Sequence, residues 1–258
     1  MPAWNRTLKR VERTHSSTMP LEMLAAKSVL AIETSSERLS VALAAGGTHR
    51  HRAIHEGVRH SEHILVVIQA LLDEAGLTPA RLDAIAFGAG PGAFTGVRLG
   101  CGVAQGLALA CDLPVVAVNS LQVLAEGEPG GRSRVVTAID ARLGEVYYAA
   151  WERDGNAWRA QMASCLGKPE ALPMPAGSGW VGCGSAFVVY GEALRRHFGE
   201  QLDAVSSTAP PDAAGVLAIA LIEFAAGRAT APEHALPIYV RDKVALTVAE
   251  RAAKVSPK

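Results

Sequence analysis

The sequence predicts an α/β protein built from two related lobes, and three observations carry that expectation. Short apolar runs alternate with helical patterns between residues 28 and 118, as strands covered by helices do. A strand–turn–strand unit opened by Ala31-Ile32-Glu33 and ended near Gly46-Gly47 is echoed by one opened by Ala138-Ile139-Asp140 and ended at Asp154-Gly155. A duplicated unit implies two lobes facing each other across a cleft, with chance similarity of two hairpins as the competing explanation. The chain also has 258 residues, 49% of them hydrophobic and 19% charged, enough to bury a sizeable core.

The elements follow in order. Ser28–Glu33 is nearly all apolar and reads as a buried strand; a polar turn at Thr34–Glu37 leads to a second strand, Leu39–Ala45, and Gly46-Gly47 to a third, Thr48–His55. Ser61 is placed to cap a helix over Glu62–Ala75, where Ile64, Leu65, Ile68, Leu71 and Leu72 recur at helical spacing and Gly76 stops it. Ala84–Phe87 reads as a strand entering the glycine-rich segment Gly88–Gly96, followed by a helix over Val97–Cys111 and a strand at Val115–Val118. In the second half, Val135–Asp140, Glu145–Trp151 and Ala157–Leu166 read as strands, and Pro169–Gly179 as a loop. Ala186–Phe198 and Asp212–Gly227 read as helices, and Leu236–Arg241 as a closing strand. Residues 28–130 and 131–242 then form the two lobes, between a basic leader (1–27) and a tail (243–258). The leader carries Arg6, Lys9, Arg10 and Arg13 and reads as disordered, with Met19 or Met23 as alternative starts.

Lys+Arg and Asp+Glu both number 25. A protein gripping a polyanion alone carries a cationic surplus, so any link to RNA is expected to run through a partner. Cys101, Cys111, Cys165 and Cys183 are widely spaced and read as reduced thiols of a cytoplasmic protein. The apolar run Val97–Ala110 is short and glycine-rich for a membrane span.

Gly88–Arg98 offers unobstructed backbone amides, a helix start, the Thr95 hydroxyl and the Arg98 cation, parts that suit an anion; a turn needed only for close strand–helix packing is the plain alternative. It lacks the Gly-Lys-Ser/Thr of a P-loop, and Pro91 interrupts its fit to a dinucleotide fingerprint. Gly96, Gly100, Gly102 and Gly106 recur in the following helix, each interior one costing about 0.8–1 kcal/mol, as expected where another backbone comes close. His49, His51, His55, His60 and His63 cluster early without a ligand set at motif spacing. Glu33 and Asp140 end the two echoed strands, either facing the cleft toward a metal-bound nucleotide or acting as structural caps.

Several segments together resemble the TsaB (YeaZ) family. They are Leu30-Ala-Ile-Glu-Thr-Ser-Ser36, Leu39-Ser-Val-Ala-Leu43, Gly90-Pro-Gly-Ala-Phe-Thr-Gly-Val-Arg98, Ala104-Gln-Gly-Leu-Ala108, Ala138-Ile-Asp-Ala-Arg-Leu-Gly-Glu-Val-Tyr147 and Pro237-Ile-Tyr-Val-Arg241. The resemblance implies two ribonuclease-H-like lobes of the actin-like ATPase/Hsp70 superfamily, the second reduced, with a C-terminal helix that packs back on the first. It implies a non-catalytic subunit supporting TsaD, the enzyme that makes N6-threonylcarbamoyladenosine in tRNA, together with TsaE. Where that enzyme resembles a two-histidine metal signature, this chain has Ser120 and Leu124, and leucine cannot ligate a metal. The resemblance places pairing on the first two helices, giving Ile64, Ile68, Leu71, Leu72, Gly96, Gly100 and Gly106 as contact residues, with a homodimer when TsaD is missing.

The resemblance implies no metal, no required cofactor and no membrane, with tRNA met only through the complex. ATP or ADP is allowed at a subunit interface, and Glu33, Thr34, Gly90, Gly92, Thr95, Gly96, Arg98 and Asp140 are the candidate nucleotide or anion ligands. The alternatives are a stand-alone ATP-dependent enzyme using Glu33 and Asp140, and a glycoprotease-like metallopeptidase.

Overall fold

The computed structural model describes residues 27–54 and 59–241; the leader up to residue 26, His55 and the tail lie outside them. Ten strands form two five-stranded sheets. The first holds β1 (Val29–Glu33), β2 (Leu39–Ala45), β3 (Thr48–Ile54), β4 (Ala84–Gly90) and β5 (Val115–Asn119) in the order β3-β2-β1-β4-β5. The second holds β6 (Arg134–Asp140), β7 (Val146–Asp154), β8 (Ala157–Gly167), β9 (Trp180–Cys183) and β10 (Leu202–Ser207) in the order β10-β9-β6-β7-β8. In each, the leading strand pairs antiparallel with the second and parallel with the fourth. The second sheet therefore repeats every strand of the first, and the lobes differ in their helices. Between β3 and β4 lies α1 (His60–Ala75), whereas β8 and β9 are joined by one 3-10 turn and loop.

β1 is continuous in its apolar residues because both its faces are covered. Leu30 and Ile32 meet α1 and α2 (Phe94–Cys111), while Val29 and Ala31 meet α6 (Ala213–Ala225). The α6 side is paved with Ala42, Ala44, Ala84 and Ala86, small residues that let the helix approach closely. The β2–β3 hairpin turns on Gly46 and Gly47 at φ 56° and 74°, the left-handed pair that a two-residue turn demands. Two helices cross between lobes: α6, late in the chain, covers the first sheet, and α3 (Ser120–Glu126) packs on β6 and β7 of the second.

Several expectations are corrected. Ile64, Ile68, Leu71 and Leu72 are buried against Leu39, Val41 and Leu43; they are the lobe's core and offer nothing to a partner. Gly100 is buried, and a Cβ there would lie 2.5 Å from Thr34 Oγ1, so its small size serves packing within the chain. The same holds at Gly96, whose Cβ would lie 1.9 Å from the Thr34 carbonyl oxygen. Gly102 and Gly106 instead face open space. Arg59, not Ser61, occupies the N-cap of α1, with no side-chain cap bond among the described residues; Gly76 closes the helix in the left-handed region at φ 65°.

The predicted helix over 186–198 is broken at Tyr190 into α4 (Ala186–Val189) and α5 (Gly191–Phe198). Residues 236–241 form no strand; the segment is a strap held to β4 where Ile238 N–H donates to the Ala89 carbonyl at 2.7 Å. At 18 residues α2 is longer than the sequence pattern suggests, and by length and composition it matches a membrane span. Its Val97, Gly100, Cys101, Ala104 and Ala108 are nevertheless seated in the core of the first lobe.

Candidate functional site

The two sheets enclose a cleft of about 840 Å³. Its first wall is the turn after β1 (Ser35–Arg38) with the start of α2 (Pro91–Phe94, Val97), and its second the β6–β7 turn (Ile139–Leu143) with α4. The strap residues Ile238–Arg241 close one end. Of the residues predicted to meet an anion, Gly92 and Asp140 line this space.

Glu33, Thr34, Gly90 and Gly96 are spent on the protein itself. Glu33 is fully buried; one carboxylate oxygen accepts the Ser35 N–H at 2.6 Å and the other lies 3.3 Å from the Ser120 hydroxyl. Burial pushes its pKa above the usual carboxylate value against the hydrogen bonds from Ser35 and Ser120 that oppose the rise. Gly88 exists to admit it, because a Cβ there would fall 2.0 Å from the carboxylate. The structural-cap reading of Glu33 therefore replaces the cleft-facing one. Thr34 is buried and donates its hydroxyl to the Gly96 carbonyl at 2.8 Å. Two amides of the glycine-rich turn have internal acceptors, since Gly90 N–H donates to Ser120 Oγ at 3.1 Å and Ala93 N–H to the Ser35 carbonyl at 2.7 Å. These glycines fit the turn onto β1, which is the packing reading.

Thr95 is exposed beyond the cleft lining. Arg98 stacks its guanidinium 3.7 Å from the Phe94 ring centre and donates from Nε to the Tyr239 hydroxyl at 2.9 Å, a cation–aromatic cluster at the rim. Asp140 accepts from the Arg142 N–H at 2.8 Å and from the Tyr190 hydroxyl at 3.2 Å, and it pairs with the Arg142 guanidinium at 3.3 Å.

The β6–β7 turn carries a feature the sequence concealed. Arg142 and Leu143 both adopt left-handed backbone, at φ 63° and 58°, where an L side chain costs about 1–2 kcal/mol per residue. Asp140 holds the turn from within, and Arg142 reaches across the cleft to Glu37 at 3.4 Å. Leu143 is left at the tip, 82% exposed. Arg241 ties the strap to the same turn through Glu145 at 2.8 Å and the Ala141 carbonyl at 2.9 Å.

Ser120 is buried between Gly90 and Glu33, and Leu124 faces the cleft from α3. Among the described residues, no three His, Cys, Asp or Glu side chains gather closely enough to hold a metal. His51 instead pairs with Asp212, and His60 approaches the Glu37 carbonyl at 3.1 Å. Sequence reasoning missed Phe94, Arg142 and Leu143 as cleft residues, and it missed the strap's contribution; their shared signal was membership of the segments that carry the family resemblance.

Comparisons with known proteins agree with that resemblance. The family model for TsaD, tRNA N6-adenosine threonylcarbamoyltransferase, matches residues 53–181. The tRNA threonylcarbamoyladenosine biosynthesis protein TsaB of Escherichia coli strain K12 is 40% identical over 223 residues, covering 84% of this chain and 96% of its own. The TsaB of Haemophilus influenzae is 34% identical over 227 residues, covering 84% and 94%. The solved structure of YeaZ from Pseudomonas aeruginosa shares 37% identity at a TM-score of 0.76, covering 83% of this chain and 99% of that one. On this identity, sustained along nearly the whole length of its relatives, the chain belongs to the TsaB family.

Proposed function

We propose that this chain is a non-catalytic partner subunit in the synthesis of N6-threonylcarbamoyladenosine in tRNA, pairing with TsaD and assembling with TsaE in the cytoplasm. Its two sheets are then the ribonuclease-H-like lobes of an actin-like ATPase fold whose cleft has lost its chemistry. The observation that carries this reading is the state of the cleft. Glu33 is sealed beneath Gly88, Asp140 is engaged by Arg142 and Tyr190, and position 124 presents a leucine.

The pairing surface is the outer face of α1 and α2, which cover the same side of the first sheet. There Leu65 (57% exposed), Val66, Leu109 (62%) and the bare Gly102 and Gly106 face outward, and small residues permit close helix–helix contact. Without TsaD the same face serves a homodimer. The reading requires no cofactor, leaves ATP or ADP to a subunit interface, and brings tRNA only through the complex.

The test is co-purification with the organism's TsaD and a tRNA modification assay with each subunit omitted. Modification is expected only with both present, and Leu65→Asp or Leu109→Asp is expected to weaken pairing about tenfold or more. Threonylcarbamoyl transfer by this chain alone would overturn the reading.

A further inference from the structure

The exposed apolar side chains are not scattered. Of the ten large ones among the described residues, Phe94, Leu143, Val188, Val189 and Tyr239 all line the cleft between the sheets, a concentration that isolated surface residues do not produce. They come from three separate places: the start of α2, the β6–β7 turn with α4, and the strap. Leu143 is held outward by a turn with two consecutive non-glycine residues in left-handed backbone, and such conformations cluster where a ligand is gripped.

The charges at this rim are specific as well. Arg38 pairs with Asp212, Arg142 with Asp140 and Glu37, and Arg241 with Glu145. Arg98 has only aromatic rings and a phenol hydroxyl around it, with no carboxylate in ion-pair range among the described residues.

We infer that the mouth of this cleft is a second docking surface, distinct from the outer face of α1 and α2, for an apolar segment of a partner protein that brings a carboxylate to Arg98. The occupant is a polypeptide because the lining is apolar over most of its surface and its rim offers, in Arg98, one cation with no carboxylate partner among the described residues. RNA would require several cations, and the chain's net charge is zero. Leu143 acts as the anchor and Arg98 sets the register, the aromatic and arginine residues that dominate interface energetics being at hand in Phe94, Tyr239 and Arg98. The inference rests on the partner-subunit reading.

The test titrates the full-length chain with purified TsaD and, separately, purified TsaE of the same organism. It uses wild type, Leu143→Asp, Val189→Asp, Arg98→Glu and the helix-face control Leu65→Asp, with unfolding midpoints followed in parallel. Leu143→Asp, Val189→Asp and Arg98→Glu are each expected to weaken one of the two proteins about tenfold or more. Arg98→Glu also flattens the salt dependence of that binding, whereas Leu65→Asp, which weakens TsaD pairing at the helix face, leaves that salt dependence and the TsaE affinity unchanged. If TsaD binding is lost in Leu65→Asp and both affinities are untouched by the cleft variants, this inference fails while the partner reading stands. If wild type binds neither protein, both fail. Loss only of self-association, or only of tRNA retention by the assembled complex, would assign the surface to a second copy or to RNA and overturn the proposal.

Discussion

Replacing Gly96 by alanine tests whether the glycines of α2 serve the chain's own packing. The new Cβ would stand 1.9 Å from the Thr34 carbonyl oxygen, so the helix must retreat from β1 by about 1 Å to reach a tolerable contact. That retreat stretches the Thr34 hydroxyl bond to Gly96 (2.8 Å) and the Ala93 amide bond to Ser35 (2.7 Å), each worth about 0.5–1.5 kcal/mol. Overpacking adds about 1–3 kcal/mol, against a helix-propensity gain of about 0.8–1 kcal/mol. The balance is a loss of about 1–5 kcal/mol. Gly102→Ala and Gly106→Ala on the same helix meet nothing within 4 Å, so they keep the propensity gain and stabilise the chain by up to about 1 kcal/mol each. Urea unfolding at constant slope reads all three. A Gly96→Ala protein as stable as wild type, or destabilised Gly102 and Gly106 variants, would refute the reasoning.

Gly106→Leu is expected to weaken TsaD binding with an unfolding midpoint no lower than wild type, whereas Gly100→Leu lowers the midpoint, because only the latter collides with Thr34; pull-down and thermal scans on both variants check the contrast. Asp212 caps α6 through the Ala214 N–H at 2.9 Å and pairs with Arg38 and His51, so Asp212→Ala is expected to cost about 0.5–2 kcal/mol in urea and Asp212→Asn, which keeps the cap, less. Burial raises the pKa of Asp212, but the His51 bond, the Ala214 amide and Arg38 outweigh it and hold the carboxyl below its usual value. The folded pKa being depressed, the contribution is present above the unfolded value of about 3.9 and fades as pH falls through the folded one; the wild-type advantage over Asp212→Ala should therefore shrink in acid, and a constant difference would contradict this. Glu33 has the opposite sign: with its folded pKa raised by burial, wild-type stability declines as pH climbs from the unfolded value of about 4.3 through the folded one. Glu33→Gln should lose that slope, and parallel pH profiles for the two proteins would count against it.

What could be read beforehand follows from where each element sits. β1 and β2 announced themselves because both faces are covered, so their runs are apolar apart from the buried Ser40 and the closing Glu33. β9 did not: it is four residues long, and its Gly182 makes room for the Phe187 ring, a contact set by tertiary packing. β10 is an edge strand with exposed Asp203 and Ala204 and a register shift beside them, so it lacks the alternation that marks a half-buried strand. The stripe on α1 was rightly read as a helix and wrongly assigned a destination. Periodicity shows which face is apolar but not whether the cover is the chain's own sheet or another protein. On this helix the apolar residues left outward are Leu65 and Val66. At the cleft, the glycine-rich turn was legible as a turn, but its occupants are the backbone of Thr34 and Ser35. The rim depends on a strap more than a hundred residues away, for which no local pattern exists.

The exchange of α3 and α6 between the sheets has a consequence for synthesis of the chain. A nascent polypeptide that has emerged through β5 possesses five strands and the two helices of one side, yet the alanine-lined back of that sheet stays bare until residues 213–225 appear. Cutting near residue 130 would therefore not release two self-sufficient halves; each would carry away the other's lid. Maturation must wait for nearly the whole message to be read, and fragments ending short of α6 should be recovered as aggregates or protease substrates rather than as a stable first lobe.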